Sequence, residues 1–156
     1  MTEKIWIYVL SKALTADEMK QLISNCETFV GSWTAHDVKL AASFEIYKNR
    51  LLIMKVDESG YNASGCSIDK LQRFIKQQES ELNIELLNRL LVALEVNNNL
   101  LITHASKIKE LLSSNIINEN TLVYNTAISS SQELNNWKNP LKSTWLSKYL
   151  PSFSTK

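Results

Sequence analysis

The sequence predicts one α+β domain over residues 1–156, in which an antiparallel or mixed sheet built from hairpins is covered by helices on at least one face. Three observations predict this class. The length suits one core of ordinary size and is too short for two. Two pairs of strand-like runs are each joined by a short polar turn. Runs with apolar residues at helical spacing lie between them, so the predicted order is βαββα followed by ββαβα.

The first strand and helix follow from the start of the chain. Residues 4–10 (KIWIYVL) are dominated by β-branched and aromatic side chains, which favour a strand. Thr15 and Glu18 have the spacing of a capping box, and apolar residues recur behind them at helical spacing. Gly31 is expected to end this helix.

A hairpin is predicted over residues 42–57, with positions 48–49 as a two-residue turn. In that register Glu45 lies opposite Leu52, on a side that also carries apolar residues. A carboxylate in such surroundings needs a partner. A diagonal ion pair with Arg50 is the preferred interpretation.

The middle of the chain adds a second helix and a second hairpin. The helix is predicted over residues 67–82, with Ser67 as its N-cap and Asp69 in its first turn. Residues 89–96 and 100–103 are strand-like and flank three consecutive asparagines, which are typical turn residues.

The last third is predicted to contain a short helix over residues 106–113 and a strand over residues 121–128. Ser130 and Glu133 repeat the capping-box spacing before a further short helix that ends near Trp137.

Composition and charge exclude several kinds of partner. The chain has 17 Lys and Arg against 16 Asp and Glu, spread evenly over its two halves, so no nucleic-acid partner is predicted. No apolar run approaches the ~18 residues that cross a bilayer, and no secretory signal is recognisable. We therefore expect a cytoplasmic protein without a membrane partner. Two cysteines and two histidines, with no CxxC or HxxxH pair, are read as free thiols and isolated imidazoles, so no metal and no cofactor is predicted.

The number of glycines is the most unusual feature of the composition. Only Gly31, Gly60 and Gly65 occur, where usage of roughly 7% would give about eleven. Two of the three flank one loop, so we expect backbone there that needs positive φ or a close approach. The loop from Gly60 to Asp69 is the predicted site.

Cys66 stands in this loop where a helix begins, and free N–H groups at a helix N-terminus stabilise a thiolate. Cys66 is therefore a candidate nucleophile, with His36, Glu45 and Asp57 as candidate acid, base or orienting groups. The alternative for Cys66 is that it only fills a small hole. Cys26 lies on the apolar stripe of the first helix and is predicted to be a core residue.

The same loop could instead bind a small anion without any reaction. The candidate ligand-binding residues are Ser64, Gly65, Ser67, Asp69 and Lys70. GYNASGCS fits the Gly-x4-Gly-x-Ser frame of a P-loop, but a cysteine occupies the place of the phosphate-binding lysine. Lys70 could replace that lysine only by pointing back toward the loop, so hydrolysis of ATP by a P-loop is not predicted.

The stretch SWTAH…ASFEIYKNRLLIMKVDES…ASGCSIDK resembles a family of small bacterial proteins that are often labelled "ABC transporter ATPase". The resemblance continues weakly over residues 117–125 and at two tryptophans, and so covers most of the chain. The positions that match the family pattern are Trp33, His36, Glu45, Asn49, Arg50, Asp57, Glu58 and residues 63–70. The resemblance implies a bacterial protein of unknown function and points to the same loop.

The label attached to that family does not fit the chemistry of this chain. An ABC ATPase needs a phosphate-binding lysine, and a strand-end Asp-Glu that follows the glycine loop. Here Asp57 and Glu58 precede the loop, and 156 residues are too few for such a domain with its helical insert. ATP hydrolysis by an ABC mechanism is excluded.

Three functions remain as hypotheses, and whether the protein is an enzyme is left open. The first is thiol chemistry on a small molecule at Cys66. The second is a non-catalytic domain that binds a small ligand or a protein partner, with exposed aromatics such as Trp33, Tyr61 and Trp145 in its recognition surface. The third is a homo-oligomer held together by the tail over residues 145–153.

Overall fold

The computed structural model describes residues 3–60 and 62–152 and confirms the α+β class, with three antiparallel sheets in that part of the chain. The chain forms two compact units. Unit 1 comprises Met1–Asn88 and Thr126–Asn135, and unit 2 comprises Arg89–Asn125 and Asn136–Lys156. The division does not follow the two halves of the sequence, and the prediction of a single domain stays a prediction.

Unit 1 is built around a sheet in the order β1-β5-β4, with β2 and β3 as a separate two-stranded ribbon. Its elements in chain order are β1 (Glu3–Val9), α1 (Ala16–Ser32), β2 (Thr34–Ala35), β3 (Val38–Lys39), β4 (Ala41–Tyr47), β5 (Leu51–Asp57) and α2 (Gly65–Leu82). The predicted strand, hairpin and helices are therefore confirmed. The ribbon of β2 and β3 was not predicted, because each of its strands has only two residues.

The central strand β5 carries the core of unit 1. Leu52, Met54 and Val56 are buried on one face of the sheet. They share a core with buried side chains of the two helices, namely Leu22, Cys26, Leu71, Phe74 and Ile75. Leu51 and Ile53 alternate with them and are buried on the other face. A strand that is buried on both faces appears in the sequence as a continuous apolar run.

The β4–β5 turn differs from the prediction by one residue. Tyr47 lies opposite Leu51, so three residues connect the strands instead of two. Arg50 is the additional residue, and it is hydrogen-bonded to Leu10. The Arg50 guanidinium donates to the Leu10 carbonyl oxygen at 2.8 and 3.3 Å, and the Leu10 N–H donates to the Arg50 carbonyl oxygen at 2.9 Å.

The start of α1 is as predicted, and its end is not. The Thr15 N–H donates to Glu18 Oε1 at 2.9 Å and the Glu18 N–H donates to Thr15 Oγ1 at 3.1 Å, which is the predicted capping box. Gly31 does not end the helix, which continues to Ser32 and is followed by Trp33 in extended conformation. Since the chain leaves the helix directly into an extended path, no left-handed residue is required there.

Unit 2 contains a sheet in the order β7-β6-β8-β9. Its elements in chain order are β6 (Leu91–Val96), β7 (Asn99–His104), α3 (Ile108–Ser113), β8 (Leu122–Tyr124) and β9 (Lys138–Pro140). Single 3₁₀ turns occupy Ala105–Lys107, Leu141–Ser143 and Trp145–Tyr149. The core of this unit comprises Val92, Leu94, Ala105, Ile108, Ile117, Val123, Leu141 and Leu146.

Three predicted elements of the last third differ in detail. The strand predicted over residues 121–128 is only Leu122–Tyr124, because the chain leaves unit 2 at residue 126. The helix predicted from residue 106 begins as a 3₁₀ turn. The helix predicted after Ser130 is a 3₁₀ turn over Ser131–Asn136, at which Glu133 Oε1 accepts the Ser130 N–H at 3.2 Å.

Within the described residues, no helix combines the length and the apolar character needed to cross a membrane.

Candidate functional site

The loop after β5 uses its own carboxylates to hold its backbone. Asp57 Oδ1 accepts the Ser59 N–H at 2.9 Å, and Glu58 Oε2 accepts the Ala63 N–H at 2.9 Å. Hydrogen bonds from the Ser59 backbone and side chain hold the pKa of Asp57 below its usual value. Asp57 therefore stabilises the loop as an ionised acceptor.

The start of α2 is capped by two serines. The N-cap is Ser64, not Ser67 as predicted, because the helix begins at Gly65. Ser64 Oγ accepts the Ser67 N–H at 3.2 Å, and Ser67 Oγ accepts the Ser64 N–H at 2.7 Å. Ser67 is completely buried, so its hydroxyl serves the cap. Asp69 lies beyond the first helical turn and is exposed.

Two side chains fasten this helix start to the β2–β3 ribbon. The Trp33 Nε1–H donates to the Ser67 carbonyl oxygen at 2.8 Å. The Lys70 ammonium donates to Thr34 Oγ1 at 2.9 Å and to the Thr34 carbonyl oxygen at 3.4 Å. Lys70 is therefore engaged with the ribbon. Trp33 is buried and is not the exposed recognition residue that the sequence suggested.

Cys66 is exposed at the second residue of α2. His36 is exposed in the turn between β2 and β3, where its φ is 50°. The ribbon that carries His36 contacts α2 through Thr34, and Trp33, which precedes the ribbon, also contacts α2. Among the described residues, however, no hydrogen bond or ion pair joins Cys66 to any of its three candidate partners.

Glu45 lies on the face of the sheet away from α2. Its cross-strand neighbour is Ile53, not Leu52, because the turn contains one more residue than predicted. Residues that lie opposite each other share a face, so Glu45 shares the side of Ile53. The helices pack on the other face, with Leu52. Glu45 pairs with Lys55 at 2.9 Å instead of with Arg50, since the shifted register places Lys55 on its diagonal.

The glycines of the loop do not have the geometry that their scarcity suggested. None of the chain's glycines has positive φ, and a Cβ added at Gly60 or Gly65 would meet nothing within 4 Å. The positive-φ positions in the described chain are held mostly by asparagine, for example Asn49 and Asn83. The expectation of a glycine-dependent backbone at this loop is wrong, because asparagine tolerates the left-handed region and serves the tight turns elsewhere.

Cys26 is a core residue as predicted. It is completely buried in α1, and burial raises the pKa of its thiol to about 12. Among the described residues, no three His, Cys, Asp or Glu side chains lie close enough together to hold a metal ion.

A groove in unit 2 was not predicted from the sequence. Its volume is about 710 Å³, and it is formed by two segments, residues 109–119 and residues 148–152. Its apolar lining consists of Leu112, Ile117, Tyr149, Leu150 and Pro151. Lys109, Lys148 and Glu119 are its charged residues. No local pattern marks such a groove, since about thirty residues separate the segments that form it.

Two exposed large apolar residues of unit 2 lie close to this groove in the chain. Ile116 is 53% exposed and stands between two lining residues. Trp145 is 49% exposed, and the Lys148 ammonium lies 5.3 Å from its ring centroid and 5.2 Å from that of Tyr149. The prediction of an exposed Trp145 is therefore confirmed, whereas Tyr61 and Phe153 lie outside the described residues.

No protein-family profile, curated protein or solved structure matches the chain. The resemblance to the family labelled "ABC transporter ATPase", and the bacterial origin that it implies, stay predictions.

Proposed function

We propose that this protein is a non-catalytic protein-interaction domain whose recognition surface is the groove of unit 2 together with Ile116 and Trp145. The observation that carries the proposal is an open groove of about 710 Å³ beside exposed large apolar side chains. Contiguous exposed apolar surface rimmed by polar residues is typical of protein-binding sites.

Trp145 and Tyr149 give this surface aromatic side chains of the kind that are enriched at interfaces. Tryptophan and tyrosine are among the residues that contribute most to binding energy, because they bury a large area with few rotatable bonds. The Lys148 ammonium lies close to both Trp145 and Tyr149, which favours a fixed position for its charge. A cation close to two aromatic rings is suited to pair with a partner's carboxylate.

The catalytic alternative at Cys66 receives less support from the geometry. Glu45 is paired with Lys55 on the face of the sheet away from α2, and the Asp57 carboxylate accepts a backbone N–H of its own loop. Nucleophilic catalysis needs a base within hydrogen-bond reach of the nucleophile. Of the three candidate partners, His36 is the one on the β2–β3 ribbon, which is hydrogen-bonded to the helix of Cys66 through Thr34 and Lys70.

Thiol chemistry at Cys66 is nevertheless a second candidate function, because one specific observation favours it. Cys66 is exposed at the start of an 18-residue helix, where backbone dipoles stabilise an anion. Alkylation rates test this candidate. A rate at neutral pH that exceeds that of a model peptide thiol by about tenfold or more would support it, and an equal rate would remove it.

Selection of random displayed peptides on the immobilised full chain tests the interaction function. We expect enriched peptides to lose most of their binding to the Trp145→Ala protein and to keep it for the Leu90→Ala protein. Leu90 is a matched control because it is 50% exposed in the same unit and does not line the groove. Cys66→Ala should bind like the wild type. Selection without enrichment, or equal loss in the Trp145 and Leu90 variants, would contradict the proposal.

A further inference from the structure

We infer that the groove of unit 2 binds a protein segment in which acidic side chains flank apolar ones. This inference rests on the proposed interaction function and adds the chemistry of the partner. It follows from the charge of the unit, from the state of its lysines and from the apolar lining of the groove.

The division into units separates charges that the sequence distributes evenly. Residues 89–125 and 136–152 contain six Lys and Arg against three Glu. One of these glutamates, Glu95, is already paired with Lys138 at 3.1 Å. Unit 2 is therefore basic, although the whole chain has a net charge of only +1. A basic surface attracts and orients an acidic partner.

The two lysines of the groove are free to receive that partner. Within the described residues neither Lys109 nor Lys148 forms an ion pair. Among the described lining residues Glu119 is the only acidic one, so their net charge is positive. The Lys148 ammonium rests near two aromatic rings, which leaves its hydrogen-bond donors available to a carboxylate.

The apolar lining favours a protein segment over a small carboxylic acid as the ligand. Leu112, Leu150 and Pro151 offer no hydrogen bond from their side chains, and they need apolar groups to displace water. Trp145 adds exposed apolar surface near the groove, since its ring centroid lies 5.3 Å from the ammonium of the lining residue Lys148. A protein segment can cover both at once, with its acidic residues on the lysines and its apolar residues on the lining and the indole.

Fluorescence anisotropy with two labelled peptides tests the inference on the full chain. One peptide carries leucines flanked by glutamates, and the other carries lysine in place of every glutamate. We expect the glutamate peptide to bind at least about tenfold more tightly than the lysine peptide, and more weakly as salt is raised. Replacing its leucines by serine should also weaken binding by about tenfold.

Charge-reversal variants locate the binding. Lys109→Glu combined with Lys148→Glu should weaken the binding of the glutamate peptide by about tenfold or more. A variant with only Lys107→Glu should bind within about twofold of wild type, because this exposed lysine is near Lys109 in sequence but does not line the groove. Circular dichroism checks that each variant is folded.

The outcomes separate the two proposals. If selected peptides need Trp145 but the glutamate peptide binds no better than the lysine peptide, the inference fails and the interaction function stands. Equal weakening by the Lys107 variant would also overturn the inference, since it would indicate non-specific attraction. So would tighter binding after removal of residues 153–156, which would make that segment the occupant of the groove. Concentration-dependent dimerisation that the double lysine variant abolishes would make a second copy the partner instead.

Discussion

The indole Nε1–H of Trp33 donates a hydrogen bond of 2.8 Å to the carbonyl oxygen of Ser67, and both residues are buried. The bond joins the residue that follows α1 to the first turn of α2, 34 positions later in the chain. Two aromatic rings pack against the same indole. The ring centroids of Phe29 and Trp6 lie 5.0 and 5.7 Å from its own ring centroid. Trp33 thus fixes the start of the helix that carries Cys66.

Replacing Trp33 by phenylalanine should lower the free energy of unfolding by about 2 kcal/mol. The change keeps an aromatic ring but removes the buried donor to Ser67 and leaves a small void. Urea unfolding followed by circular dichroism measures it. Trp145→Phe is the matched control, because that indole is 49% exposed, and it should change stability by less than about 0.5 kcal/mol. Equal losses in the two variants would contradict the assigned role of Trp33.

The serine pair at the start of α2 should behave as one cap. Ser64→Ala and Ser67→Ala should each destabilise the protein by about 1 kcal/mol. Each serine's hydroxyl accepts the other's backbone N–H, so the double variant should lose less than the sum of the two. Ser80→Ala, at an exposed position of the same helix, should cause no loss. Strict additivity in a double-mutant cycle would count against a shared cap.

Gly65→Ala should stabilise the protein, by up to about 1 kcal/mol. Gly65 is the first residue of α2, its φ is not positive, and an added Cβ would meet nothing within 4 Å. Thermal unfolding measures the change. Asn49→Ala is the opposite control, because Asn49 has a φ of 62° and alanine there should cost about 1 kcal/mol. A loss of stability in Gly65→Ala would restore the idea that this glycine is required.

Patterns within a few residues of the sequence were sufficient for most elements of the fold. The capping box of Thr15 and Glu18, the buried run of β5 and the asparagine turn after β6 each depend on neighbours in the chain, and each is present. The position of Glu45 was not predicted correctly, because Arg50 lies between the turn and β5 and displaces the register by one residue. Arg50 is also hydrogen-bonded to Leu10, 40 positions away in the chain.

The candidate site could be predicted only as a stretch of sequence. Cys66 is at a helix start as expected, but the side chains that surround it are set by packing. The register of β4 places Glu45 on the other face of the sheet, and Trp33 turns inward to the Ser67 carbonyl oxygen. The groove of unit 2 had no local signal, because Lys109 and Lys148 come together only in the folded chain.

Acid should remove the contribution of Glu18 to stability. The Thr15 backbone N–H, with the Thr15 side chain and nearby Lys12, holds the pKa of Glu18 below its ordinary value of 4.5. A carboxyl whose pKa is lower in the folded state stabilises the fold above its unfolded-state pKa and loses this effect as the pH falls through the folded-state pKa. Glu18→Gln should therefore be less stable than wild type at pH 7, with a difference that shrinks as the pH falls below 4.5.

Urea unfolding over that pH range measures the difference. Glu27→Gln, an equal change of charge at an exposed position of α1, should cause no loss at neutral pH. A difference between Glu18→Gln and wild type that stays constant into acid would mean that the charge of Glu18 does not matter.

The two thiols should differ sharply in alkylation of the folded protein. Cys66 is exposed on the surface of α2, whereas Cys26 is completely buried and burial raises the pKa of its thiol to about 12. Iodoacetamide at neutral pH should therefore modify one thiol per chain, at Cys66, and mass spectrometry of the digested protein identifies it. Cys66→Ser should abolish labelling under native conditions, and Cys26→Ser should leave it unchanged. In urea both thiols of the wild type should react. Rapid labelling of Cys26 under native conditions would mean that α1 opens readily. The core formed by Leu22, Cys26 and Leu71 would then not hold α1 in place.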